Sequence, residues 1–168
     1  LYRLDRSNTR APGAVAGTVV LTGEQRSKGF ELGLVGKPLP AWQVSAGYSY
    51  TDAEITATTS AAPAGRRVGQ VPRHQLNLWN RVNVTDSVGA GVGLFHQSKS
   101  FATISNAAII PAYTRLDAAL FLKLGERIDA QVNVENLLGE KYFPFAHNDH
   151  NFSTGAPRNA RLTIRARF

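Results

Sequence analysis

The feature that most constrains this chain is the alternation of apolar and polar residues in its last segment, residues 158–168. The apolar positions of that segment are Ala160, Leu162, Ile164, Ala166 and Phe168. Because successive side chains of a strand point to opposite faces, this spacing places all of them on one face and leaves Asn, Arg and Thr on the other. The segment is therefore predicted to be a two-faced strand that ends on an aromatic residue.

Earlier segments alternate in the same way and are separated by turn and loop signals. Further strands are predicted at 24–37, 42–55, 71–84, 88–97, 113–123 and 127–136, with the end of one more at 1–6. Tight turns are predicted at 38–41, 85–86 and 124–126, and long loops at 7–23, 56–70, 98–112 and 137–157. Long and tight connections therefore alternate, which is typical of an up-and-down barrel with long external loops and short periplasmic turns.

The two faces of these strands suit a membrane barrel. No run approaches the roughly 18 consecutive apolar residues that a spanning helix requires, so a helical membrane protein is excluded. The polar faces carry hydrated or charged side chains, as a polar lumen needs, and the apolar faces suit lipid. Strands of about ten residues, tilted by about 40 to 45°, rise roughly 25 Å, the height of the apolar band of such barrels. The predicted fold class is an all-β, antiparallel, up-and-down transmembrane β-barrel, with about eight strands in this chain.

Aromatic residues fall in two kinds of position. Near predicted strand ends, where the ring and its polar tip suit the lipid headgroup level, are Trp42, Tyr48 and Tyr50. Ordinary cross-strand packing would also explain them. On the polar faces, where they would pack inside the barrel, are Trp79, Phe95 and Phe121.

Three glycines share one face of the predicted strand at 88–97: Gly89, Gly91 and Gly93. Glycine inside a strand removes a side chain from the surface of the sheet. The pattern predicts either that another group packs close to the backbone there or that the sheet bends.

Composition excludes several classes of function. The chain of 168 residues has no cysteine, so it can build neither a disulfide nor a thiolate metal site or nucleophile. Its net charge of +7 would favour nucleic acid as a partner, but its arginines are spread among the strands, so nucleic-acid binding is not predicted. No nucleophile with a base, no paired carboxylates and no phosphate-binding glycine loop stand out. We therefore predict neither an enzyme nor a bound cofactor.

Short segments resemble, in order along the chain, landmarks of one family, the TonB-dependent siderophore receptors. They are 23–31 (GEQRSKGFE), 47–53 (GYSYTDA), 71–79 (VPRHQLNLW), 111–117 (PAYTRLD), 133–143 (NVENLLGEKYF) and 155–158 (GAPR). The resemblance covers nearly the whole chain and implies a barrel of about 22 strands closed around an N-terminal plug domain. By this resemblance, residues 1–168 are the C-terminal part of such a barrel, and the plug domain is absent from this chain.

The resemblance also implies a location and partners. The intact protein would lie in the bacterial outer membrane, in contact with lipid and lipopolysaccharide. It would bind a ferric siderophore at its outer face and import it with the proton-motive force passed on by TonB, which it would meet through the missing N-terminal part. The terminal strand resembles the sorting signal read by the barrel-assembly machinery, and Leu162, Ile164 and Phe168 would form that signal. A strand that ends a soluble sandwich is the alternative.

The last long loop offers the candidate ligand site, because aromatic faces and a few hydrogen-bonding groups suit the organic surface of a siderophore. With two residues of the preceding loop, the candidates are Phe101, Asn106, Tyr142, Phe145, His147, His150 and Phe152. Alternatively, Tyr142 and Phe143 could seal a strand end.

Two further sets of loop residues have open interpretations. His147, Asp149 and His150 could form a metal site, but histidines in a polar loop are more often solvated, and no metal is predicted. Arg66 and Arg67 could meet lipopolysaccharide phosphates or an anionic ligand, or they could remain solvated at a loop tip.

Two other architectures stay open. The chain could close by itself as a complete eight-stranded barrel, either a passive porin or a structural protein, or it could be a soluble basic β-protein. Closure would bury Arg73, Arg81, Arg115, Arg161, Arg165 and Arg167 against Glu31, Asp117, Asp129 and Glu135, and any buried charge without a partner would be costly. An open fragment would instead leave two unpaired sheet edges. The chain begins with Leu1 and shows no signal-peptide pattern, so we expect that processing or truncation removed its true start.

Overall fold

The computed structural model describes residues 1–12 and 18–168, and the regular elements of these residues are β-strands. In chain order they are β1 (Tyr2–Pro12), β2 (Val19–Leu39), β3 (Trp42–Ile55), β4 (His74–Asn83), β5 (Val88–Gln97), β6 (Ser100–Phe101), β7 (Ile109–Ile110), β8 (Tyr113–Lys123), β9 (Ile128–Glu135), β10 (Phe145–Asn148), β11 (Asn151–Ser153) and β12 (Asn159–Ala166). Within the described ranges, no helix has the length and apolar character needed to cross a membrane.

Eight long strands form one sheet in the order β1-β2-β3-β4-β5-β8-β9-β12. Every neighbouring pair is antiparallel, and each long strand pairs with the next long strand along the chain. The predicted all-β, antiparallel, up-and-down architecture is therefore confirmed.

The connections between the long strands alternate in length. Residues 40–41, 84–87 and 124–127 make the tight turns at one end of the sheet. Residues 56–73, 98–112 and 136–158 make the long loops at the other end, and the last two loops each contain a short hairpin, β6-β7 and β10-β11. The sequence predicted these long loops but not the hairpins inside them.

The long loop predicted at 7–23 is wrong for most of its length. β1 continues to Pro12, and β2 already begins at Val19. The register shifts beside Thr9, and Asn8 takes a φ of 56°, so an irregularity accommodates the turn-forming residues without ending the pairing. The β-branched run that opens β2 favours a strand. Residues 13–17 of the predicted loop lie outside the described residues.

One face of the sheet is apolar from β2 to β12, whereas β1 carries Arg3 and Asp5 on this face. A single row of paired residues crosses five neighbouring strands: Leu34, Ala46, Leu78, Leu94 and Leu116. Large side chains on this face are exposed, including Leu32 at 63% and Ile164 at 63% of their full accessible area. A broad exposed apolar surface is unfavourable in water and suits contact with lipid.

An aromatic cluster lies on the same face toward the long-loop end of β2, β3 and β4. The rings of Phe30 and Tyr50 are 5.9 Å apart, and those of Tyr50 and His74 are 5.2 Å apart. Tyr48 Oη and His74 Nδ1 share a hydrogen bond of 2.7 Å. The cross-strand packing that the sequence left open is therefore present, and the headgroup level of these rings remains a prediction.

The opposite face is polar, with aromatic rings packed onto the sheet. The indole of Trp79 occupies the space above Gly91 and Gly93, so the close approach predicted from the glycines is confirmed. The guanidinium of Arg81 lies 4.0 Å from the centre of the Phe121 ring, in a cation–π contact. These contacts hold long side chains flat against the inner face.

The eight long strands do not close on themselves. β1 pairs only with β2 and β12 pairs only with β9 among the residues at 1–12 and 18–168. The alternative of a complete eight-stranded barrel is therefore wrong for this structure. An open curved sheet avoids crowding the inner-face arginines into a narrow interior.

Candidate ligand-binding site

The three long loops pack together into one body, here called the loop platform (residues 56–73, 98–112 and 136–158). Its small hydrophobic core consists of Ala102, Ile110 and Ala146, with Ala108, Phe143 and Phe152 packed against it. The β6-β7 hairpin supplies Ala102, Ala108 and Ile110, the β10-β11 hairpin supplies Ala146 and Phe152, and Phe143 lies just before β10. The platform is therefore a packed structure rather than a set of independent loops.

Gln70 joins all three loops. Its backbone N–H donates to the Phe101 carbonyl at 2.7 Å, and its side-chain Nε2 donates to the Ala146 carbonyl at 2.8 Å. The residue takes a φ of 59°, which turns the first loop toward the other two. This bridging role was not apparent from the sequence.

Asn106 fastens the second of these loops to the first. Its Oδ1 accepts from the Arg67 backbone N–H at 2.8 Å, and its Nδ2 donates to the carbonyls of Arg67 and Thr103 at 3.0 and 3.1 Å. The hydrogen-bonding groups of this predicted ligand residue are thus engaged within the platform. Arg67 itself pairs with the Asp52 carboxylate on β3.

Tyr142 lies beneath the platform, 8% exposed. Its ring centre is 4.5 Å from that of Tyr113, and its hydroxyl accepts a hydrogen bond of 3.1 Å from Arg115 Nη1. The ring also fills the space beside Gly155, where an added Cβ would come within 2.2 Å. The geometry matches the sealing interpretation that the sequence left open for this residue.

Below Tyr142, an ion-pair network ties the platform to the inner face of the sheet. Arg115 Nη2 is 2.9 Å from Asp117 Oδ2, and Arg115 Nη1 is 3.0 Å from Glu135 Oε1. Asp117 Oδ1 accepts the backbone N–H of Asn136, the first residue of the last loop, at 2.8 Å.

Asn136 anchors both ends of that last loop. Its Oδ1 accepts the Glu140 N–H at 2.8 Å, and its Nδ2 donates to the carbonyls of Glu140 and Ala156 at 2.9 and 3.1 Å. The residue is fully buried with a φ of 55°, a conformation that asparagine tolerates better than most residues. The sequence signal that could have identified it is an asparagine at a strand end, three residues before Gly139.

The predicted ligand residues divide into two groups. Phe101 pairs in the β6-β7 hairpin, and Phe152 meets Phe143 edge-on with ring centres 5.8 Å apart, so both belong to the platform. Phe145 is 46% exposed, and its ring lies 5.5 Å from that of the exposed His147 at an angle of 77°. His150 is also exposed. The exposed members of the predicted set, Phe145, His147 and His150, therefore all lie in the β10-β11 hairpin.

Asp149 holds this hairpin to the second loop. Its carboxylate accepts hydrogen bonds from the hydroxyls of Ser105 and Thr103, the latter at 2.9 Å. The hydrogen bond from Ser105 has the larger effect, and together the two hydrogen bonds hold the pKa of Asp149 below its ordinary value of 3.8. No group of three His, Asp or Glu side chains in the described part of the chain could hold a metal ion.

The fold and site together define a class of protein. An up-and-down antiparallel sheet with an apolar outer face, a polar inner face and long loops at one end only is a section of an outer-membrane β-barrel wall. A family model described as "TonB dependent receptor-like, beta-barrel" matches residues 1–137, and the chain belongs to this family. The family consists of outer-membrane receptors of Gram-negative bacteria rather than enzymes.

Two relatives illustrate the similarity. The probable TonB-dependent siderophore receptor PiuA of Acinetobacter baumannii is 29% identical over 178 residues, covering 100% of this chain and 24% of the relative. The crystal structure of PiuA aligns with a TM-score of 0.86 over 98% of this chain and 25% of that chain.

The catecholate siderophore receptor Fiu of Escherichia coli K12 is 31% identical over 159 residues, covering 90% of this chain and 21% of the relative. Its crystal structure in a closed form aligns with a TM-score of 0.79 over 96% of this chain and 23% of that chain. The chain thus spans about a quarter of the length of these relatives.

Proposed function

We propose that residues 1–168 form the C-terminal part of the barrel of a receptor that binds ferric siderophores at its loop platform and imports them. TonB, acting through a part of the receptor outside this chain, would drive the import. The similarity to PiuA and Fiu supports this proposal, because both are siderophore receptors by name. The missing length relative to these proteins leaves room for the other strands and for a plug domain.

The observation that carries the ligand site is the exposed pair Phe145 and His147 on a rigid support. An edge-on ring pair offers both an aromatic face and hydrogen-bonding nitrogens, and these suit the organic shell around a chelated ferric ion. Asp149 and the hydrophobic platform core fix the hairpin, so little ordering entropy is lost on binding. His150 is the third exposed residue of the proposed ligand site. Phe101, Asn106, Tyr142 and Phe152 act by holding the platform in shape.

Two further partners belong to the same proposal. The apolar face, with Leu162 and Ile164 exposed on β12 and Phe168 exposed just beyond its end, would contact lipid and would be read during insertion by the barrel-assembly machinery. Charged residues above the aromatic cluster would lie at the level of lipopolysaccharide.

A binding experiment tests the ligand site. The receptor that contains this chain, with its natural upstream sequence, is titrated with ferric catecholates while its fluorescence is followed. The double variant Phe145→Ala with His147→Ala is expected to bind at least about tenfold more weakly, as removal of a central aromatic anchor usually causes. Leu138→Ala, which changes an exposed apolar residue of the same loop, should bind as the unchanged receptor does. Equal affinity of the double variant and the unchanged receptor would overturn the assignment.

A further inference from the structure

A cavity of about 440 Å³ lies where the first two long loops meet the ends of β3, β4 and β5. It is separate from the exposed Phe145 and His147 pair, neither of which lines it. Its walls combine cations with apolar side chains: Arg67, Arg73, Lys99, Phe101, Ile109 and Val71. No acidic residue lines it among the described residues.

Ser100 lies in the cavity wall, but its hydroxyl is shielded from the cavity. The residue is 7% exposed, and its Oγ has almost no accessible surface and makes no hydrogen bond within the described residues. The polar groups that a ligand would meet are therefore mainly the cations. The neighbouring Ser98 Oγ, in contrast, accepts the His74 backbone N–H at 3.0 Å.

The positive charge at the cavity exceeds its counter-charge. The Asp52 carboxylate is shared by Arg67, by Lys28 at 3.5 Å and by Arg73 at 3.8 Å, so one negative charge faces three cations. Lys99, on the cavity wall, has no ion-pair partner in the described part of the chain. An anion that entered the cavity would therefore meet a net positive field.

We infer that this cavity is a binding site for a phosphomonoester group attached to an apolar body. A phosphomonoester carries close to two negative charges and three acceptor oxygens, which match the two cations Arg73 and Lys99 better than the single charge of a carboxylate does. The rings and branched chains of Phe101 and Ile109 would flank the apolar body. Membrane lipids that carry phosphate and soluble phosphate esters share this chemistry.

Calorimetric titration of the intact receptor in uncharged detergent, with monohexyl phosphate as the probe, tests the site. The unchanged receptor should bind monohexyl phosphate more tightly than inorganic phosphate, because the hexyl chain reaches the apolar wall. Lys99→Gln combined with Arg73→Gln should weaken binding at least about tenfold, whereas Ser100→Ala, which removes a shielded hydroxyl, should leave binding unchanged. Lys141→Gln, at an exposed lysine of the last loop, should leave binding unchanged and controls for the loss of a positive charge elsewhere on the loops.

The same variants separate a site from a folding effect. Thermal unfolding of the Lys99 and Arg73 double variant should match that of the unchanged receptor, so weaker phosphate binding by this stable variant supports the inference. Absence of binding by the unchanged receptor, or equal binding by the Lys99 and Arg73 double variant, would overturn it. Native mass spectrometry then distinguishes the sources: a phosphorylated lipid retained only by receptors with the intact site indicates membrane lipid, and its absence despite monohexyl phosphate binding indicates a soluble ester.

Discussion

The indole of Trp79 lies over Gly93 so closely that a Cβ added to this glycine would come within 2.5 Å of the ring. The two residues are cross-strand partners in β4 and β5, on the polar inner face. A bulky ring can lie flat on the sheet there only because its partner has no side chain. A side chain added at Gly93 should therefore lower the stability of the folded sheet.

Gly93→Ala should destabilise the folded barrel by about 1–3 kcal/mol, since the new methyl group forces the Trp79 ring out of place. Gly47→Ala is the matched control, because nothing lies within 4 Å of a Cβ added at Gly47 in β3. Its free energy of unfolding should change by no more than about 0.5 kcal/mol. Urea unfolding in detergent, followed by Trp fluorescence, measures both. Equal stability of the two variants would contradict the packing described.

Asn136→Ala should destabilise the last loop by about 2–4 kcal/mol, because it removes three part-buried hydrogen bonds to Glu140 and Ala156 and places alanine at a positive φ. Asn136→Gly loses the same hydrogen bonds but tolerates the backbone conformation, so it should be less harmful by about 1 kcal/mol. Denaturant unfolding gives the order of the three proteins. An Asn136→Ala variant as stable as the unchanged receptor would show that Asn136 does not anchor the loop.

The contact between Asp149 and the Ser105 and Thr103 hydroxyls should depend on pH. Because hydrogen bonding lowers the pKa of Asp149, the folded state favours the ionised carboxylate. This stabilisation is fully present above the ordinary pKa of 3.8 and is lost as the pH falls through the lowered value. Carboxyl titration by NMR should therefore give a pKa below 3.8.

A substitution checks the same contact at neutral pH. Asp149→Asn should increase amide hydrogen exchange at Ser105, whose N–H donates to Thr103 Oγ1 at 3.1 Å, while amides of β8 remain protected. Unchanged exchange in the variant, or an ordinary pKa, would show that the carboxylate does not fix the hairpin.

The terminal residue should matter for assembly rather than for ligand binding. Phe168→Ala is expected to lower the amount of folded receptor in the outer membrane several-fold, because it removes the aromatic end of the proposed assembly signal. Leu124→Ala, at an exposed apolar position in a tight turn, serves as the control. Heat-modifiable migration on gels measures the folded fraction in isolated membranes. Normal levels of the Phe168 variant would remove that residue from the signal.

The sequence predicted the strands well because each strand has a lipid-type face and a polar face, and this pattern is visible residue by residue. Both β12 and the close approach of another group at Gly91 and Gly93 were predicted in this way, whereas the identity of that group, Trp79, was not. The extension of β1 and β2 was not predicted. Gly, Pro and Asn in this region indicate a loop, but the two strands continue to pair there with an irregular register beside Thr9.

The candidate site was harder to predict. Loop residues have no periodicity, and their roles depend on contacts far apart in sequence, such as Gln70 with Ala146. Composition could indicate that aromatic residues gather in the last loop, but it could not separate Phe145, which is exposed, from Tyr142, which is buried beneath the platform. The anchoring role of Asn136 likewise depends on a carbonyl of Ala156, twenty positions away.

Uptake of radioactive iron measures the proposed import of ferric siderophores. Cells that make the receptor with its natural upstream sequence, and that lack other siderophore receptors, are given a panel of ferric siderophores, catecholates included, with and without TonB. We expect at least one ferric siderophore to enter cells that have TonB, and we expect entry to stop when TonB is absent. Entry at the same rate without TonB, or no entry of any ferric siderophore despite normal receptor levels, would contradict it.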